Sequence, residues 1–249
     1  MIQSLYTAAT AMASQQFNID TIANNISNIN TNGYKSNRAD FADALYAQMD
    51  RTIQSQANQL RGHGMLIGAV QRINSAGVAI YSGSLMDMMI SGDGYFTVED
   101  AKGNRFFTRN GAFSMSTENG NNYLTTGDGS YVLDSNNRRI GLNGTTEIAV
   151  DDVGNIMQNG ASVARLGIVS FANPSGLQNV GGDRYTATAA SGAVAAASGT
   201  VMQGYQEGSN VDLTEEMTRL IRAQKAYSIL SKAISTADQM ASVANGIGS

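Results

Sequence analysis

Side chains able to do chemistry are few in this 249-residue chain, and they do not cluster. His63 is its one histidine. A Ser-His-Asp relay would have to run through it, yet it sits between Gly62 and Gly64 with no nucleophile elbow nearby, so it is expected as a loop residue. One imidazole and no cysteine leave no ligand set for a zinc site, no disulfide and no thiolate nucleophile. Asp128, between Gly127 and Gly129, has the outline of a calcium loop but lacks the alternating Asp/Asn ligands and the closing Glu. Gly92-Asp93-Gly94 precedes an expected strand, not a helix, so the N–H groups of a phosphate loop are not expected there. Asp151-Asp152 fits a turn, and Glu215-Glu216 fits the electrostatics of a helix start. These residues give no catalytic, cofactor or metal site, and nothing in them supports a named reaction.

Composition narrows the classes further. The chain is 42% hydrophobic and only 14% charged, a surface weakly defended against self-association. A net charge of -4, from 16 basic and 20 acidic residues, argues against a nucleic-acid partner; Arg138-Arg139 is the only adjacent basic pair. No window approaches a membrane span. The first residues lack a basic n-region, and Gln3, Ser4, Thr7 and Thr10 interrupt any apolar run, so any passage out of the cytoplasm is expected to need no cleaved leader. Absence of cysteine does not fix the compartment.

The elements that could organise such a chain lie at its ends. From Ile2 to Ile29, apolar residues fall at Ile2, Leu5, Ala9, Met12, Ile19, Ala23 and Ile26, a seam in steps of three and four with Gln16 interrupting it. A helix is expected from about Ser4 to Ile29, ending in Asn30-Thr31-Asn32-Gly33. Asparagine fills five of the nine positions 24–32. It serves capping and turns on one reading, and a ladder of amides toward neighbouring subunits on another. At the other end, Leu213, Leu220, Tyr227, Ile234 and Ala241 repeat every seven residues, with Ala223, Leu230, Ala237 and Ala244 in a second row. That helix is expected to start at Asn210 or Asp212, with Asp212 and Glu215 as a capping box, and to run about thirty residues.

Between the ends the periodicity changes. Phe41, Leu45 and Met49 fit a short helical stripe, and residues 52–61 are polar and expected extended. From about Ile73 to Tyr205 short strands alternate with glycine turns: 95–98, 105–108, 112–115, 123–125, 131–133, 148–150, 156–158 and 163–171, with a hairpin loop at 126–130. Ala187 to Ser198 is expected as a surface loop. The fold class is therefore α+β: N- and C-terminal helices pairing as a coiled coil, with an inserted antiparallel β-rich middle domain. The expected division is 1–35 for the N-terminal helix, 36–72 for a partly extended connecting segment, 73–205 for the β domain and 206–249 for the C-terminal helix. The seams match the core face of a globular domain as well. The heptad step, held over about four heptads, favours an assembly interface instead.

Two stretches carry a resemblance. Ala23-Asn24-Asn25-Ile26-Ser27-Asn28-Ile29-Asn30-Thr31-Asn32-Gly33-Tyr34-Lys35, with Arg38, Ala39 and Phe41 beyond it, resembles the N-terminal signature of the flagellar rod and hook family of axial proteins. Gly204-Tyr205-Gln206-Glu207-Gly208-Ser209-Asn210-Val211-Asp212 and Ala223-Gln224-Lys225-Ala226-Tyr227, continued by Ser235 to Met240, resemble its C-terminal signature. Gly92 to Phe96 and Thr108 to Phe113 match more loosely. The length is similar to that of the larger rod members. The resemblance implies a structural subunit of the bacterial flagellar basal body, outside the cytoplasmic membrane and exported through the flagellar type III apparatus. Its implied partners are further copies of itself in a helical filament and other rod and hook proteins, with the rings around the rod as further candidates. Its implied assembly interface is the two seams: Leu5, Ala9, Met12, Ile19, Ala23 and Ile26 with Leu213, Leu220, Ala223, Tyr227, Leu230, Ile234, Ala237 and Ala241. The competing class is a soluble enzyme or glycan-binding β domain with a helical dimerisation arm. A membrane-surface N-terminal helix is disfavoured, since residues 1–34 hold no Lys or Arg.

Overall fold

The computed structural model describes residues 2–44, 46–48, 60–62, 64–118, 120–142, 148–181 and 183–247. The class is α+β, with a helix at each end and strands between. The chain divides into two compact units.

The first unit joins Met1–Ser27, Asn37–Arg72 and Asp212–Ser249. It contains α1 (Ile2–Ser27), β1 (Asn37–Asp43), β2 (Tyr46–Gln48), β3 (Leu60–Gly62), β4 (Met65–Arg72) and α2 (Leu213–Ile247). The two helices lie against each other. α2 is 35 residues long, about 52 Å at 1.5 Å per residue. It starts at Asp212, whose Oδ1 accepts the N–H groups of Thr214 and Glu215 at 2.8 and 3.0 Å. The reciprocal half of the expected capping box is replaced: the Glu215 carboxylate turns forward to pair with Arg219.

The helical stripe expected at Phe41 is overturned. Phe41 lies in β1, which runs antiparallel to β4 from Asn37↔Arg72 to Asp43↔Met65 with a bulge between Asp40 and Phe41. Cross-strand hydrogen bonding outweighs a weak periodic signal; Leu45 and Met49 lie outside the described residues. α1 is tied to this ribbon by polar groups. Ser14 Oγ donates to the Met65 carbonyl at 3.2 Å. The Asn25 amide clasps the Asn37 backbone, donating at 2.8 Å and accepting at 2.9 Å.

The second unit is Asn28–Ser36 with Ile73–Val211. Its largest sheet has ten strands, centred on Tyr95–Glu99 and Arg105–Thr108, and every described pairing is antiparallel. Both faces of the central strand are covered. Phe96 and Val98 enter a core with Ile90, Leu124, Val132, Ile140 and Ile156. Tyr95 enters an aromatic cluster with Phe107, Phe171 and Tyr185. The expected strand 163–171 is broken in two at Gly167, where an added Cβ would sit 2.7 Å from the Asp134 carbonyl oxygen. The loop expected at 187–198 carries a short 3-10 turn at Ala189–Ser191 and a strand at Val194–Ala196, which completes the ladder of Ile168–Phe171.

One local solution closes four of the hairpins. Asp100, Asp134 and Asp151 each accept the N–H groups two and four residues on at 2.8–3.0 Å. Thr126 does the same for Ser130 at 3.1 Å. The residue before the closing position has positive φ: Gly103 +85°, Asn137 +60°, Gly154 +87° and Gly129 +82°. Bonds from Asn104 hold Asp100, and bonds from Asn155 hold Asp151, below the ordinary carboxylate range. For Asp134 burial acts upward, but the Arg138 and Asn136 N–H groups and the Arg138 guanidinium prevail, so it too is lowered. A lowered native pKa contributes stability above the unfolded value of 3.8 that is lost as pH falls through the native one. Asp134→Ala is therefore expected to destabilise the protein by about 1–3 kcal/mol at pH 7 in urea unfolding. The gap to wild type should narrow as pH falls below the unfolded value of 3.8.

Candidate assembly interface

The first unit buries little apolar surface. Among its described residues the buried apolar side chains are Ile22, Ala39, Ala44 and Ala223, three of them alanines. Its exposed large apolar side chains are Tyr6, Phe17, Phe41, Leu66, Ile67, Val70, Leu213, Met217, Ile221, Ile229, Met240 and Val243. A unit with twelve such groups outside and four apolar residues inside has its hydrophobic surface unfinished.

The sequence seams fall differently on this surface. On α2, Ala223 is buried at 1% exposure, while Leu220, Tyr227, Leu230, Ile234 and Ala237 are half-buried and Leu213 is exposed. On α1, Leu5, Met12, Ile19 and Ile26 are half-buried, and Ala9 and Ala23 are exposed. The fully buried α1 positions are Ser14, Ile22 and Asn25, none of them on the expected seam. The seam thus runs along the margin of the buried face. Met217, Ile221, Ile229, Met240 and Val243 form a second apolar set on the far side of α2 from Ala223. Heptad counting misses this set because its residues keep no constant seven-residue step.

Where the helices meet, Glu216 is 4% exposed. Burial pushes its carboxyl above the usual glutamate range, against the pull of Arg219 and a bond from the Asn25 side chain. This residue, expected only to complement a helix start, is part of the helix contact.

The two sequence signatures also meet within the second unit. Lys35, Arg109 and Glu207 form a buried triad. Glu207 Oε1 accepts from Lys35 Nζ and from the Gly77 N–H at 3.0 Å, and Arg109 Nε stands 3.3 Å from Oε2. Arg109 Nη2 donates to the Gly92 carbonyl at 2.7 Å. Around the triad, the Glu207 carbonyl accepts from the Gly33 N–H at 2.7 Å. Asn32, Gln206 and Asp87 form a chain of amide bonds of 2.6 and 2.7 Å. Asn210 accepts from the Ser36 N–H at 2.7 Å and donates to the Ile73 carbonyl at 2.8 Å. Gly33 (φ +72°) is required here: a Cβ would sit 2.8 Å from the Asn110 nitrogen. Asn25, Asn32 and Asn210 therefore spend their amides inside the chain, not on a ladder toward neighbours. Sequence reasoning missed this triad; the available signal was one lysine and one glutamate, Lys35 and Glu207, in the two signature stretches.

The residues singled out for chemistry are structural. Asp128 faces Arg184 at 3.3 Å, Gly92 serves Arg109, and Asp151 closes a turn. His63 lies outside the described residues. No group of metal-ligating side chains occurs among the described residues.

Comparison with known proteins accounts for this pattern. Residues 5–35 match the family model "Flagella basal body rod protein", residues 89–171 "Flagellar hook protein FlgE/F/G D1 domain", and residues 202–247 "Flagellar basal body rod FlgEFG protein C-terminal". The fold and these matches define a flagellar axial protein of the rod-and-hook class. Flagellar basal-body rod protein FlgG of Agrobacterium fabrum is 40% identical, covering 97% of this chain and 98% of its own. That of Borreliella burgdorferi is 36% identical over 99% of each chain. The hook-basal body complex protein FlhP of Bacillus subtilis is 30% identical over 99% of this chain and 100% of its own. The chain belongs to the FlgG family of flagellar basal-body rod proteins, the distal-rod type. It is a structural protein, not an enzyme.

The triad yields a graded expectation. Glu207→Gln leaves two buried cations without their carboxylate and should cost about 3–5 kcal/mol in urea unfolding. Lys35→Met keeps the Glu207–Arg109 pair and should cost clearly less. Equal losses would show that the carboxylate does not carry the cluster.

Proposed function

We propose that this chain polymerises through its terminal helices into the hollow, torque-transmitting shaft of the flagellar rod, in its distal part. The observation that carries the reading is the first unit's surface: among the described residues, twelve large apolar side chains are exposed against four apolar residues buried. Helices of this kind draw their stability from packing that a single copy does not provide. Added to a growing shaft, α1 and α2 bury their seams against neighbours as a coiled coil and stiffen. One patch meeting a different patch on the next copy, repeated along a screw axis, generates a filament instead of a closed ring.

On this reading residues 1–35 and 206–249 are the terminal helical domain, 36–72 the connecting segment and 73–205 a separate β domain. The seam residues, Leu5 to Ile26 and Leu213 to Ala241, are the assembly interface. The partners are further copies and the adjoining rod and hook proteins, outside the cytoplasmic membrane and reached by type III export. No helix among the described residues is long and apolar enough to cross a membrane.

Deleting residues 1–30 should leave a folded β unit that no longer enters rods; a truncated chain that still assembles would refute the reading. Ile26→Asp and Leu220→Asp should abolish polymerisation with the strand signal of the monomer intact by circular dichroism. Global unfolding of either monomer would instead make the seams ordinary core.

A further inference from the structure

Residues 1–34 hold a single charged side chain, Asp20. At about 100° per residue it shares one face of α1 with Tyr6, Ala13, Phe17 and Asn24, and all five are exposed. Among the described residues its one hydrogen-bond partner is Gln16, whose Nε2 donates at 2.9 Å. If that face is covered during assembly, the carboxylate loses its water, and a desolvated charge needs a partner.

The same unit offers one on another surface. A cleft of about 500 Å³ lies between α1, β1 and α2, and three of its lining residues are Arg38, Arg219 and Arg222. The single carboxylate in its wall is Glu216. Arg38 is engaged by Asp40 and Gln71, and Arg219 by Glu215 and Glu216. Arg222 makes no ion pair or hydrogen bond among the described residues. The cleft is thus positive, with one guanidinium uncommitted. Of the α1 residues in its wall, Gln15, Asn18 and Ile22 lie about 140–160° around the helix from Asp20 and Thr21 about 100°, so the carboxylate is turned away from the cleft of its own copy.

We propose that the exposed α1 face of one copy seats over the α1–β1–α2 cleft of the next copy, with Asp20 pairing with Arg222. This rests on the assembly reading above and names the contact that carries it. Two different surfaces of one chain meet, which is the heterologous arrangement that propagates without closing. A lone carboxylate on a face otherwise made of apolar and amide side chains fixes the register at which one copy settles on another.

Charge reversal in the full-length protein tests the pairing. Asp20→Arg and Arg222→Asp should each reduce the sedimentable polymer by at least about tenfold at a fixed concentration, and the double reversal should recover to within about threefold of wild type. Both residues are exposed, so the monomers should keep wild-type circular dichroism. Because the chain has no cysteine, Asp20→Cys with Arg222→Cys should also give a covalent ladder with a short bis-maleimide crosslinker, which bridges the span of the lost Arg side chain and which neither single cysteine can give. Normal polymerisation of the single reversals, or their loss without recovery in the double, overturns the pairing. If the chain lacking residues 1–30 fails to assemble in the same assay, the assembly reading survives that failure. If it assembles, the reading itself falls.

Discussion

Two helices from opposite ends of one chain lie side by side with almost no apolar core of their own. Ile22 and Ala223 are buried where α1 and α2 meet, and Ala39 and Ala44 are buried in the ribbon. Removing so little apolar surface from water contributes only a few kcal/mol, against the ordering of more than sixty helical residues. Polar clasps carry the arrangement instead: Asn25 on the Asn37 backbone, Ser14 on Met65, Asp212 on the first turn of α2. Such bonds fix direction well and add modest stability. The unit is oriented by its polar groups and left for its apolar groups to be covered.

The second unit is the opposite case. Its central strand is covered on both faces, and its hairpins are closed by one repeated side-chain device. At its heart lies a triad with two cations and one carboxylate, all at most 5% exposed. An arrangement like this stabilises little compared with a well-packed apolar cluster, but it admits one geometry and loses most when its shared carboxylate is removed. Its members come from residues 35, 109 and 207, so it forms only when three distant stretches have all arrived. Lys35 and Glu207, one from each signature stretch, thus serve the folding of this unit.

Several features of the fold were legible in the chain before any coordinates. Strands around Phe96, Phe107 and Leu124 follow from period-two patterning between glycine turns, and the start of α2 follows from Asp212. Phe41 was not legible: an apolar residue four from Leu45 fits a helix on spacing alone, and only pairing with Ile67 makes it a strand residue. Val194 to Ala196 was missed for a related reason. A run of alanine and serine carries no periodic signal, and its strand exists because Val169 and Phe171 stand opposite with free ladder positions. On α2, Met217, Ile221 and Ile229 escaped because a heptad template counts one seam and is blind to a second.

Taken alone, the sequence determined the α+β class, the two terminal helices, the antiparallel middle and the family. These rest on local periodicity, capping chemistry and residue types, which neighbours in the chain suffice to specify. Tertiary structure alone decided which face of each helix is buried, that Glu216 lies in the helix contact, and that Lys35, Arg109 and Glu207 share one pocket of charge. Those facts depend on distant residues coming within hydrogen-bond distance, Lys35 and Glu207 across 172 positions and Asn25 and Glu216 across more. No window of the sequence contains both partners, so no local rule can state them.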